Sequence, residues 1–121
     1  MAKLLHILEG NIVRDYELVV GELHIGRQKN NDIQVDDLAV SGSHAVIKIR
    51  PSVYMEGLYD FVLEDLDSTN GTNVNGKRLT KPYMLKHKDM ILIGSHQLQF
   101  IDENTLSYET TRYFLRDAER E

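Results

Sequence analysis

The chain has 121 residues, of which 41% are hydrophobic, and carries a formal charge of −5. That length supports one core rather than two, and the apolar share excludes wholesale disorder. The acidic balance, with Lys and Arg dispersed, argues against a nucleic-acid ligand, and the absence of cysteine excludes disulfides and thiolate chemistry.

The short apolar start is interrupted by His6 and Glu9, too early for a secretion signal, and no apolar run is long enough to span a bilayer. A cytoplasmic protein with no membrane partner is expected. From there a period of two dominates, in runs rich in Val, Ile and Leu, which predicts strands. In chain order these are Lys3–Glu9, Arg14–Val20, Glu22–Ile25, Asp32–Val35, His44–Ile49, Leu58–Leu66, Thr72–Val74, Met90–Ile93 and Gln97–Ile101. Turn residues fall between them, among them Gly10-Asn11, Pro51-Ser52, Asn70-Gly71 and Gly94-Ser95. Asn75-Gly76 has the composition of a tight hairpin turn, in which both central residues need positive φ. The expected fold is an all-β sandwich of two antiparallel sheets over residues 1–102. Residues 103–121 break the pattern and form a tail. Thr111–Glu121 lacks Gly and Pro, and predicts a short helix with Thr110 or Thr111 as its N-cap.

Four polar clusters stand at strand ends or in loops, where a sandwich gathers binding groups at one edge. They are Gly26-Arg27, Ser41-Gly42-Ser43-His44, Asp67–Thr72 and Val74-Asn75-Gly76. The guanidinium of Arg27 offers a fork of N–H donors suited to phosphate or carboxylate. Ser41 and Thr69 supply hydroxyls, Gly42 permits close approach to its backbone N–H, and Asn70 can both donate and accept.

The ordered set Gly26-Arg27, Asn31-Asp32-Ile33, Val40–Ala45, Asp65–Thr72, Val74-Asn75-Gly76, Lys88–Ile91 and Ile93-Gly94 resembles the forkhead-associated (FHA) family, over about Leu4 to Ile101. The resemblance implies a phosphothreonine-binding module. Arg27 and Ser41 would hold the phosphate with the Gly42 N–H, Thr69 would line the pocket, and Asn70 would clamp the peptide backbone. His44 would brace the serine loop, and Gly26, Gly71, Asn75 and Gly76 would shape turns. The partner implied is a protein or peptide phosphorylated by a Ser/Thr kinase. Two departures stand out. Gly42 occupies a position where the family often has Arg, which leaves Lys29 in the neighbouring loop as the replacement cation. Lys86-His87-Lys88 replaces the usual Gly before Asp89. The tail also resembles, loosely, the Glu-Thr-Thr segment of some small bacterial FHA proteins. That makes Thr110 and Thr111 candidate phosphosites, although in those proteins the segment precedes the domain.

Other chemistry finds less support. His6, His24, His44, His87 and His96 show no paired metal-ligand spacing, and the acidic runs Asp36-Asp37 and Glu64–Asp67 fit no EF-hand pattern. No nucleophile-plus-base arrangement is visible, so neither catalysis nor a cofactor is expected. The competing reading is a phosphate-independent scaffold or self-association domain on the same fold.

Overall fold

The computed structural model describes residues 2–102 and contains eleven strands among them. They are β1 (Lys3–Leu8), β2 (Asn11–Glu17), β3 (Gly21–Gly26), β4 (Ile33–Gln34), β5 (Ala45–Pro51), β6 (Tyr59–Asp65), β7 (Asn73–Val74), β8 (Lys77–Arg78), β9 (Tyr83–Met84), β10 (Met90–Ile93) and β11 (His96–Ile101). The expected tail helix and its two threonines lie outside the described residues.

One sheet has six strands in the order β2-β1-β11-β10-β7-β8, and the other has five in the order β4-β3-β5-β6-β9. All-β architecture is therefore as expected, with one departure: β3 and β4 run parallel, pairing Ile25 with Ile33 and Gly26 with Gln34. A parallel pair ordinarily needs a long crossover. Here only residues 27–32 connect the two, and the second strand is only two residues long. The Asn31 side chain holds that connection in place by donating to the carbonyls of Gln28 at 2.8 Å and Gly42 at 2.7 Å.

Inward residues of both sheets form one core, in which Leu4, Ile25, Ile47, Leu63, Ile91, Leu98 and Phe100 are fully buried. Across the sandwich, Phe61 of β6 and Phe100 of β11 meet in a tilted contact with ring centroids 5.0 Å apart, a favourable aromatic geometry. The second strand starts earlier than the sequence predicts and stops at Glu17. Leu18 then turns into the core with its N–H donated to the Ala2 carbonyl at 3.0 Å. The short strands β8 and β9 were not predicted, because two-residue strands carry too little alternation to register.

The Asn75-Gly76 turn forms as expected between β7 and β8, with φ of 51° and 83°. Asn75 does more than turn the chain. Its Nδ2 donates to Asp89 Oδ1 at 2.8 Å, and its Oδ1 accepts the Met90 N–H at 2.9 Å. That pins the hairpin to the start of β10. Just before Asp89, Lys88 holds a φ of 75°, so the position kept the left-handed backbone that glycine suits while losing the glycine. Lys88→Gly should relieve this strain, for a net gain of roughly 0.5–1 kcal/mol after the greater freedom of the unfolded chain is counted. Chemical denaturation checks it, and a lower midpoint for the variant would show that the Lys88 side chain contributes more than its backbone costs.

Candidate functional site

Two loops, residues 36–44 and 66–72, meet at the end of the sandwich where β3 finishes. His44 is completely buried between them. Its Nδ1 accepts the Ser41 N–H at 3.0 Å, and its Nε2 lies 2.9 Å from the Gly71 carbonyl, which only an Nε2–H can use. The imidazole is thus fixed as the Nε2–H tautomer by its two neighbours. Two further bonds join the same loops. The Thr69 N–H donates to Ser41 Oγ at 3.0 Å, and Asn70 Nδ2 donates to the Ala39 carbonyl at 2.8 Å.

The first loop is anchored again at its start by Asp37, which accepts the Ala39 N–H through Oδ1 and the Ser95 N–H and hydroxyl through Oδ2. The hydrogen bond from the Ala39 backbone, followed by those from Ser95, holds this carboxyl below its ordinary range. The second loop braces itself. Asp65 accepts from the hydroxyls of Ser68 and Thr72 and from the Ser68 N–H, while Ser68 Oγ accepts the Gly71 N–H. Burial pushes the Asp65 carboxyl up, but these hydrogen bonds outweigh it and leave the group below its ordinary value.

Arg27 enters from the end of β3. Its N–H donates to the Ser41 carbonyl at 2.9 Å, and the next N–H, of Gln28, donates to the Gly42 carbonyl at 3.2 Å. That close approach explains Gly26: a Cβ there would overlap the Gly42 carbonyl oxygen. Gly26 therefore serves contact rather than a turn, since its φ is not positive, whereas Gly71 needs its φ of 85°. Among the described residues, the Arg27 guanidinium, the Lys29 ammonium and the Gly42 N–H have no hydrogen-bond or ion-pair partner. Arg27, Ser41, Gly42, Thr69 and Asn70 are thus brought to one edge. Lys29 sits in the exposed loop that precedes β4. Of Asn70, one N–H is committed to Ala39, which leaves the amide oxygen and its second N–H for a ligand. At Gly42, the position an Arg side chain often fills in the family, an added Cβ would meet the Gln28 side chain at 3.0 Å.

A description of the FHA domain matches residues 23–94. The chain belongs to the FHA domain family. EmbR, a transcriptional regulatory protein of Mycobacterium tuberculosis, is 34% identical over 87 residues, which cover 72% of this chain and 21% of EmbR. The FHA domain here therefore spans about a fifth of that relative. The structure of EmbR in complex with a low affinity phosphopeptide superposes with a TM-score of 0.68 at 34% identity, over 83% of this chain and 24% of that one. An FHA domain solved for a structural and functional analysis of phosphothreonine-dependent FHA domain interactions gives a TM-score of 0.69 at 29% identity, covering 84% of this chain and 95% of that one.

Sequence reasoning missed several parts of this FHA edge. Asn31 was noted only as part of a motif, and its bridge from one loop to the Gly42 carbonyl was not read. The mutual bracing of Asp65, Ser68 and Thr72 was equally hidden, although an acidic residue three before a serine signals such a local bond. His6 and His96 are 90 positions apart yet lie with ring nitrogens 2.8 Å apart. No group of three or more metal-ligating side chains occurs among the described residues.

His44→Ala should cost about 2–4 kcal/mol, because it opens space in the core and leaves the part-buried Ser41 N–H and the buried Gly71 carbonyl unpaired. A denaturation midpoint equal to the parent's would remove His44 from its bracing role. Acid titration tests Asp65. Its folded carboxyl titrates below the ordinary 3.8, so it stabilises the fold above that value and the contribution fades as pH falls through the folded pKa. Asp65→Asn should be the less stable protein at neutral pH, with the two stability curves converging below about pH 4 as the native carboxyl protonates. Parallel curves across that range would mean that ionisation of Asp65 plays no part.

Proposed function

We propose that this FHA domain binds proteins phosphorylated on threonine by a Ser/Thr kinase, and that Arg27 and Ser41 hold the phosphate. The observation that carries this reading is the set of donors gathered at one loop edge and left without protein partners there. A phosphothreonine brings about −1.5 to −2 charge at neutral pH and three acceptor oxygens. Arg27 supplies the charge, the Gly42 N–H a main-chain donor, and Ser41 a hydroxyl proton that its bond from Thr69 leaves for the ligand. Thr69 lines the pocket beside the threonine methyl, and Asn70 reads the peptide backbone through its remaining oxygen and N–H. Lys29 adds a second positive charge at the rim, in place of the cation that Gly42 lacks. The complexes described for similar FHA domains support the same ligand class.

Binding is the whole of the activity proposed, in a cytoplasmic setting. The residues at this edge are donors and braces, and the His44 ring between the loops has both nitrogens committed to backbone groups. Matched peptides with and without a phosphate on threonine test the proposal. Arg27→Ala should leave the thermal transition intact and weaken phosphopeptide affinity by about tenfold to a hundredfold, the equivalent of a charged hydrogen bond of about 1.5–3 kcal/mol. Ser41→Ala should cost less, since the Gly42 N–H remains. Equal affinity for the two peptides would transfer the domain to phosphate-independent association.

A further inference from the structure

Beside the phosphate-binding edge lies a second feature that the motif residues do not account for. β8 is the outer strand of the six-stranded sheet and β9 the outer strand of the other. Between these two edges the sandwich opens into a cavity of about 340 Å³. Val74, Leu79, Pro82 and Tyr83 supply apolar surface to it, and Lys77, Arg78 and Lys81 supply three cations. In a chain with net charge −5, three cations around one small cavity form a local reversal of sign. Among the described residues none of the three has an ion-pair or hydrogen-bonded partner. An adjoining cavity shares residues 79–82 with the first, Lys81 among them, and is otherwise lined by Glu64, Asp65 and Asp67.

Arg78 connects this cavity to the binding edge. Its guanidinium packs on Gly71 so closely that a Cβ on that glycine would fall 2.8 Å from Arg78 Nε. Gly71 is the residue after Asn70 and the residue whose carbonyl meets His44. One side chain therefore lies on the loop that carries Thr69 and Asn70 and also lines the cavity. An extended peptide advances about 3.3 Å per residue, so a ligand held at Thr69 and Asn70 has only a few residues to travel before it reaches Arg78.

We propose that this cavity is a second docking pocket for the same phosphorylated partner, and that it takes a segment flanking the phosphothreonine which bears an anionic side chain next to an apolar one. This rests on the phosphothreonine reading above and deepens it by naming what the flanking sequence must contain. The apolar floor takes an aliphatic or aromatic side chain. The cations take a carboxylate or a second phosphate, and the carboxyl groups of Glu64, Asp65 and Asp67 in the adjoining cavity repel the same group and so set a boundary to the path.

The experiment compares three phosphothreonine peptides on the intact chain: one with neutral, small flanks, one with Glu and Leu in the flanks, and one with a phosphoserine in place of the Glu. The expected result is affinity for the second or third roughly tenfold above the first, a gain of about 1.4 kcal/mol. Preference for the second or for the third tells a carboxylate from a phosphate. Arg78→Met removes the charge and puts an uncharged, flexible side chain in place of the guanidinium beside Gly71, and Lys81→Met removes a second charge from the cavity wall. Each should lower the flank preference while binding of the neutral-flank peptide stays within about twofold, since rim charges act mainly on the group they face. Equal affinity of the parent for all three peptides overturns the pocket, as does a preference that persists in the double variant. Loss of the phosphothreonine reading itself has a different signature: removing the phosphate, or Arg27→Ala, then leaves binding of every peptide unchanged.

Discussion

The imidazole of His44 has no access to water, and both of its nitrogens are used by backbone groups from different loops. Everything at the binding edge depends on that arrangement. If the ring did not receive the Ser41 N–H, the serine loop would lose its inner support. If it did not donate to the Gly71 carbonyl, the loop carrying Thr69 and Asn70 would drift from its neighbour. The remaining cross-links, from Thr69 to Ser41 Oγ and from Asn70 to the Ala39 carbonyl, are exposed to solvent and individually modest. Buried bonds set the spacing, and the exposed ones refine it. Residues 25, 44 and 71 are far apart in sequence, so the edge assembles only when the β3–β5 and β5–β6 ladders have formed.

Much of this was legible before any coordinates. Alternation marked most of the strands because each sheet has one dry face, and the core residues of β1, β3, β5, β6, β10 and β11 had no other plausible destination. The Asn75-Gly76 turn was legible because positive φ at two successive positions restricts the residues that serve there. What stayed hidden involved contacts between segments distant along the chain. The parallel register of β3 and β4 depends on the Asn31 side chain reaching Gly42, and no local pattern encodes that reach. Arg78 read as an ordinary surface cation, because its relation to Gly71 exists only once the β7–β8 hairpin folds back beside the loop before it.

Glycine is used in two distinct ways at this edge. Gly71 provides a backbone conformation that other residues adopt at a cost, whereas Gly26 provides absence of volume, letting the neighbouring strand end and the Gly42 carbonyl touch. The distinction matters for substitution. At Gly71 even an open environment would leave strain, and the Arg78 guanidinium makes that environment closed as well. At Gly42 the obstacle is a flexible Gln28 side chain, which can move aside, so this position tolerates a larger residue where the other two do not.

The hydrogen bond that Ser41 Oγ accepts has its own consequence. A serine oxygen carries one proton, and here the oxygen already accepts the Thr69 N–H, which leaves that proton for whatever binds. Alongside the Gly42 N–H and the Arg27 fork, the edge presents donors of hydrogen bonds and asks its ligand for acceptors. A phosphate has three free oxygens in a tetrahedral spread and nearly two charges, while a carboxylate has two coplanar oxygens and one charge. An aspartate or glutamate placed where a partner has its threonine is therefore a poor counterfeit, too flat and too weakly charged to engage all the donors together. On the phosphothreonine reading proposed above, the domain would respond to a chemical modification that the genetic code cannot write directly, and control of its associations would rest with the enzymes that add and remove the phosphate.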